Sequence, residues 1–339
     1  MDKELRDKIP VISFLMMMEV LLYHCESPSN ELAVSALDLK LNTAIDSFVT
    51  GVPCLLCMSW FFAITGFLLF RNLSFQNLSS KMKARVQTLL VPYLLWQIIY
   101  IIKSILQGNE WTLEDMFGQV FLLRIWPPLG AFWYVYTVFL FAVLFSPILL
   151  VLFRNKRIGW LSVLALILLL YIFWNYLYIG NGKYHYTGNI KQHFPSYLIG
   201  AYCGSLYRED NRMQILGCVA GFLLAGALLD GLIKDLLYKM AIAVLPMLIL
   251  FLVPVPERWK NKTVYRCTFL ILATHQSLIS LFMGPIRQIL YSLFPSAAVS
   301  NLVGRILCIL LIVAVNMGIR AVMSRFTPRT LKVLTGGRC

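Results

Sequence analysis

Apolar runs of bilayer length recur along this 339-residue chain, and no other feature constrains its fold so strongly. A helix needs about 17–25 mostly apolar residues to cross a hydrocarbon core. Ten segments meet or approach that requirement: 9–24, 51–70, 86–105, 130–153, 159–178, 191–207, 213–229, 236–254, 267–284 and 300–322. The first and sixth are short, which suits helices shielded by neighbours. Charge is too scarce to cover a soluble surface. Hydrophobic residues make up 59% and charged residues 14%, against about 25% charged in an ordinary globular chain. The same apolar and aromatic excess excludes disorder. The chain therefore reads as an all-α polytopic membrane protein, a bundle of about ten transmembrane helices forming one membrane-embedded domain over 1–339.

The charge that remains is unbalanced: thirty Lys and Arg face sixteen Asp and Glu, a net +14. With a cytoplasmic N-terminus and alternating spans, twenty-one of the thirty basic residues fall on the inside, around Lys3, Arg71, Lys156, Arg212, Lys260 and Arg325. Nine fall outside, Lys40 and Lys183 among them. The positive-inside rule then places both termini in the cytoplasm. The basic excess suits anionic membrane lipid. No nucleic-acid motif accompanies it, so no nucleic-acid partner is expected. Ile9–Tyr23 behind a charged start superficially resembles a secretory signal, but no small-x-small cleavage pattern follows. We read it as a retained first helix. The eight cysteines are scattered, and the single C-x-x-C, Cys54 to Cys57, sits in an apolar run without a second ligand pair. Packing is its simplest reading, and neither a disulfide framework nor a metal site is implied.

The longest outer loop, about residues 25–50, has room for a short helix but not for a soluble catalytic domain. Chemistry must therefore lie in or at the edge of the helix bundle. Polar groups there are informative, because a charge at a helix centre costs about 2.5–3.5 kcal/mol on insertion scales. Ser13 and His24 are eleven residues apart in the first span, within about 20° of one helical face. His24 either faces the bundle interior or ends the helix at the interface. Lys81 and Arg85 stand at i, i+4, with Lys83 between them and Arg71 at the start of the same loop. Like charges so spaced repel, and an anionic partner, lipid headgroup or phosphorylated ligand, relieves the cost. His275, in Thr274-His275-Gln276-Ser277, either lines a cavity or is satisfied between helices. Nothing in its spacing pairs it with a second catalytic group. His185 and His193 are weaker candidates. The chain contains no G-x-S-x-G, H-E-x-x-H, P-loop or G-x-G-x-x-G.

At these residues the chain resembles the acyltransferase 3 family of bacterial membrane-bound O-acyltransferases. Val20-Leu21-Leu22-Tyr23-His24 is similar to that family's first-helix ending, and Trp60-Phe61-Phe62-Ala63-Ile64-Thr65-Gly66-Phe67 to its F-F-x-x-S-G-[FY] signature, with Thr65 for Ser. Lys81-Met82-Lys83-Ala84-Arg85 and Pro92-Tyr93-Leu94-Leu95-Trp96 resemble its basic loop and P-Y-x-x-W. Ala131-Phe132-Trp133-Tyr134 with Ser146-Pro147, Tyr197-Leu198-Ile199-Gly200 and the His275 segment follow in order. Each motif is mostly apolar and weak alone. Their ordered succession over about 300 residues carries the resemblance.

The resemblance implies an enzyme of the bacterial cytoplasmic membrane that moves an acyl group, most often acetyl, from acyl-coenzyme A to a hydroxyl of an exported glycan or lipid-linked sugar. Acyl-CoA is then a co-substrate, with no tightly bound cofactor, and the oligomeric state, homodimer included, is left open. Carried over, His24 is the base or acyl acceptor, Lys81, Lys83, Arg85 and Arg71 bind the donor, and Ser13 orients His24. Trp60, Tyr93, Trp96, Trp133, Tyr134 and His275 are candidate cavity residues, with packing as the alternative for the aromatics. Two departures stand out. Many members carry Arg or Lys where this chain has Ser13, and the family's R-x-x-R is not intact. A carrier for a lipid-linked sugar, without acyl transfer, is the rival class.

Overall fold

A computed structural model describes residues 3–25, 33–121, 127–173, 185–207 and 212–338, without side chains at 52, 53 and 185–190. Lys183, an expected outer charge, and residues 174–178 of the fifth expected segment lie outside the described residues, as does the side chain of His185.

The helices in chain order are α1 (Lys3–His24), α2 (Ala36–Thr50), α3 (Val52–Phe70), α4 (Leu78–Arg85), α5 (Val91–Leu106), α6 (Leu113–Val120) and α7 (Trp133–Leu152). They continue as α8 (Lys156–Ile172), α9 (His185–Leu206), α10 (Arg212–Leu229), α11 (Leu236–Leu252), α12 (Thr268–Leu293), α13 (Ala297–Phe326) and α14 (Pro328–Leu334). No strand occurs among the described residues. Each of the ten expected segments falls on a helix. Six helical runs among the described residues are long and apolar enough to cross a membrane: Ala36–Phe70, Phe75–Leu106, Gly130–Leu152, Arg212–Leu229, Thr263–Leu293 and Ala297–Phe326. By that measure six rather than ten qualify, and the physical reasons are local. α1 carries Arg6, Asp7, Lys8 and Glu19, α9 opens with a polar half, and α11 is 17 residues long, while α8 runs up to residues outside the described ones. The chain is a multi-pass, all-helical membrane protein.

The chain divides into two compact units, residues 3–58 with 255–339, and residues 59–254. In the first, α12 and α13 form a helical hairpin, α2 packs on α13, and α1 packs on α12. One carboxylate fixes α2 to the start of α13. Asp38 accepts hydrogen bonds from the Ser296 hydroxyl (2.5 Å) and from the backbone N–H groups of Ala297 (2.9 Å) and Ala298 (3.0 Å). These donors have no partner inside their own helix, and the helix dipole favours a negative charge there. Cys57 is buried and its thiol donates to the Cys54 carbonyl. The described cysteines are all free thiols.

In the second unit α3 crosses α9 at glycines. A Cβ on Gly66 would lie 2.5 Å from the Tyr197 carbonyl oxygen, and one on Gly200 would overlap the backbone of Ala63. Small residues let two membrane helices approach at backbone distance. Phe75–Leu106 forms one helical run of 32 residues. Its single π-turn at Val86–Leu90 stands directly before Pro92, whose ring cannot donate to the ladder.

Candidate active site

His24 is the last residue of α1 and is half-buried. Its ring centroid lies 5.0 Å from that of His275 on α12, the planes tilted by 53°. His275 is fully buried. Its Nδ1 lies 2.9 Å from the Leu272 carbonyl oxygen and 3.2 Å from that of Ile271. Carbonyls only accept, so Nδ1 carries the proton and Nε2 is a bare acceptor. That Nε2 is buried and makes no hydrogen bond among the described residues. The His24 imidazole, whose ring is a neighbour, carries an N–H of the kind that would satisfy it. This pairing was not legible in the sequence, because it joins helices from opposite ends of the chain.

A buried guanidinium holds the end of α1 from the other side. Arg305 is 3% exposed. It donates to the Leu22 carbonyl, two residues before His24, to Asp46 Oδ1 (2.7 Å) and to Asn301 Oδ1 (2.5 Å). Asn301 in turn donates to Asn42 Oδ1 (2.8 Å) and Asp46 Oδ1 (3.0 Å). A cation at the C-terminal carbonyls of a helix complements its dipole. Sequence reasoning missed Asp46, Asn42, Asn301 and Arg305. Two polar residues one helical turn apart on each of α2 and α13 were the available signal. Ser13 is half-buried and forms a further interaction of its own. α1 is continuous between Ser13 and His24, so eleven residues separate them by about 16 Å of helix axis. Ser13 does not reach the His24 ring.

The first unit also holds a basic cavity of about 410 Å³ where α1 begins, lined by Lys3, Arg6, Lys262, Arg266 and Arg338, with Asp7 the one carboxylate.

In the second unit, α4 presents Lys81 half-buried, Lys83 exposed and Arg85 half-buried. The Arg85 guanidinium interacts electrostatically with the phenols of Tyr197 and Tyr134. Arg71 follows α3 directly, and its Nη1 is buried with no hydrogen-bond partner among the described residues. The aromatic candidates divide. Tyr134 bonds to the Phe61 carbonyl (3.2 Å) and lies 3.2 Å from the Thr65 hydroxyl, so Thr65 joins two motifs that are far apart in sequence. Trp133 is half-buried beside His193, which is itself buried and stacked on Phe62. Trp60 is completely buried. Tyr93 is buried too, donates to the Val120 carbonyl (2.6 Å) and stacks on Tyr136. Trp96 is half-buried against Phe132. Trp60 and Tyr93 thus pack the interior of this unit.

A family model described as an acyltransferase domain matches residues 14–321. No curated protein and no solved structure matches the chain.

Proposed function

The chain belongs to the acyltransferase 3 family, whose domain covers nearly all of it, and from that premise we propose a membrane O-acyltransferase that passes an acyl group, typically acetyl, from acyl-CoA to a glycan hydroxyl. The observation that supports a specific reaction centre is the His24–His275 pair. Acyl transfer needs a base for a hydroxyl whose own pKa is far above neutrality, and a neutral imidazole supplies one.

In this reading His275 Nε2 accepts an N–H from His24, as its fixed tautomer allows. The other His24 nitrogen is then the basic one. It takes the acceptor's hydroxyl proton as the oxygen attacks the thioester carbonyl. The tetrahedral oxyanion collapses with cleavage of the carbon–sulfur bond, and the departing coenzyme A thiolate recovers the proton from His24. His275 is a positioning residue, much as the carboxylate orients histidine in a serine hydrolase triad. Arg305 acts earlier, by fixing the backbone that carries His24. In the variant pathway His24 itself takes the acyl group before passing it on.

The donor's pyrophosphate and further phosphate call for several cations. Lys81, Lys83, Arg85 and Arg71 provide them in this reading, supported by the buried Arg71 Nη1, unpartnered among the described residues. The orientation that goes with it has both termini in the cytoplasm of a bacterial cell, with the donor taken from that side. The decisive test is purified protein in proteoliposomes with acetyl-labelled acetyl-CoA. The enzyme reading expects label to leave coenzyme A. A carrier leaves the thioester intact.

A further inference from the structure

At the far end of α5 the second unit contains a cavity of about 450 Å³ whose lining differs in chemistry from every basic cluster described above. We propose that it is a binding site for a neutral sugar, and, resting on the transferase reading, the site that holds the acceptor glycan.

The cavity is built and held by local hydrogen bonds. α5 ends at Leu106, and the chain folds back over its last turn: Gln107 and Asn109 backbone N–H groups both reach the Ser104 carbonyl at 3.1 Å. That reversal passes through Gly108 at φ 89°, where a side chain would be strained. The returning chain delivers Trp111, whose indole N–H donates to the Ser104 hydroxyl at 3.0 Å and so fixes the ring. Thr112 and Asp115 then form a capping box that starts α6. The opposite wall is Pro127 and Pro128. Gln97 pins it from within α5 by accepting the Leu129 N–H at 2.9 Å. A rigid wall and a fixed indole make a preformed pocket, and its volume lies in the usual range for small-ligand sites.

Its lining is that of a sugar site. Trp111 and Tyr100 are the aromatic lining; Lys103 stands over the Tyr100 ring at 5.7 Å, so Trp111 is the ring assigned to the polarised C–H face of a pyranose. Glu110 and Gln119 offer a carboxylate and an amide, while Asp115 already accepts from Thr112 and the Asn109 amide donates to the Ser104 carbonyl. Each sugar hydroxyl is both donor and acceptor and matches such a mixture. Glu110 and Gln119 make no hydrogen bond among the described residues, so their polar atoms are available. Among the described residues no Lys or Arg lines the cavity, and its two carboxylates disfavour a phosphorylated or acidic ligand.

Its place along the helix fits the proposed division of labour. Arg85 and Ser104 lie on one helical run, nineteen residues apart. That is about 29 Å of helix axis, close to the ~30 Å thickness of a hydrocarbon core. The basic face of α4 and this cavity therefore stand at opposite membrane surfaces of the same unit.

Saturation-transfer NMR on the full chain in nanodiscs tests the site directly. The probes are methyl glycosides of glucose, galactose, rhamnose and N-acetylglucosamine, with glucose 6-phosphate and choline as controls. The parent should bind at least one neutral glycoside weakly, on the order of millimolar, and glucose 6-phosphate about ten-fold less well. Trp111→Ala and the isosteric Glu110→Gln should each weaken binding about ten-fold, whereas Gly217→Ala, where an added carbon meets nothing within 4 Å, should not change it. Absence of any glycoside signal in the parent, binding of choline alone, or parental affinity in both cavity variants would overturn the proposal. The transferase reading fails separately. If glycosides bind as expected but acetyl-CoA is never consumed, the sugar site stands without that reaction. If acetyl transfer to a glycan proceeds with parental KM in both cavity variants, the reaction stands and the acceptor site lies elsewhere.

Discussion

His275 shows how a single hydrogen bond can define a residue's chemistry. Its Nδ1 is committed to the Leu272 carbonyl, which leaves Nε2 only as an acceptor beside His24. His275→Gln retains an acceptor oxygen and His275→Ala does not. The positioning role therefore expects the alanine variant to lose acetyl transfer about ten-fold or more, with partial recovery in the glutamine variant and an unchanged KM for donor. Equal losses in both variants would mark His275 as packing alone. Arg305 is argued from stability. Arg305 is buried and Asp46 is part-exposed, so Arg305→Ala should lower the midpoint in a thermal scan of detergent-solubilised protein, by less than the about 3–5 kcal/mol that breaking a wholly buried pair costs. Arg305→Lys should not restore it, because an ammonium cannot meet Leu22, Asp46 and Asn301 in the planar geometry of a guanidinium. Of these residues, His24 and His275 were legible in the sequence as isolated polar residues on apolar helices. Their contact was not, since spacing within one helix carries no information about a partner from the other end of the chain.

At the scale of elements, the helices were legible because a bilayer demands long apolar runs and little else produces them. The crossing of α3 and α9 was legible only as motif glycines. Its physical content is that a Cβ on Gly200 would overlap the Ala63 backbone. Gly200→Ala should reduce the yield of monodisperse protein in a fluorescence-detected size-exclusion profile, overpacking costing about 1–3 kcal/mol. Gly217→Ala, where the added carbon meets nothing within 4 Å, is the matched control and should behave like the parent. α4 was legible as a charge pattern, whereas the cavity beyond α5 was not. That cavity depends on a reversal at Gly108 and on a pinned proline wall, and neither has a periodicity to read. Neutralising Lys81, Lys83 and Arg85 together should weaken acyl-CoA binding in isothermal titration by ten-fold or more at low salt. The deficit should narrow as salt rises, because screening also weakens the parent. Parental affinity at low salt would assign α4 to lipid headgroups.

For the whole molecule, charge asymmetry and hydropathy together describe a multi-pass membrane protein, and the family match extends over residues 14–321. The twenty-one to nine division of basic residues predicts that reporters fused at both termini read cytoplasmic and that one inserted beside Lys40 reads external. A cytoplasmic reading at Lys40 would reverse the sidedness assigned to donor and acceptor. The central claim is that the chain performs acyl transfer through His24. The most direct measurement compares the parent with His24→Ala in a single-turnover reaction with labelled acetyl-CoA, with donor binding measured on the same samples. The account predicts that His24→Ala folds, binds donor like the parent and loses consumption of the thioester by about 10²-fold or more. Consumption at the parental rate in His24→Ala would contradict it.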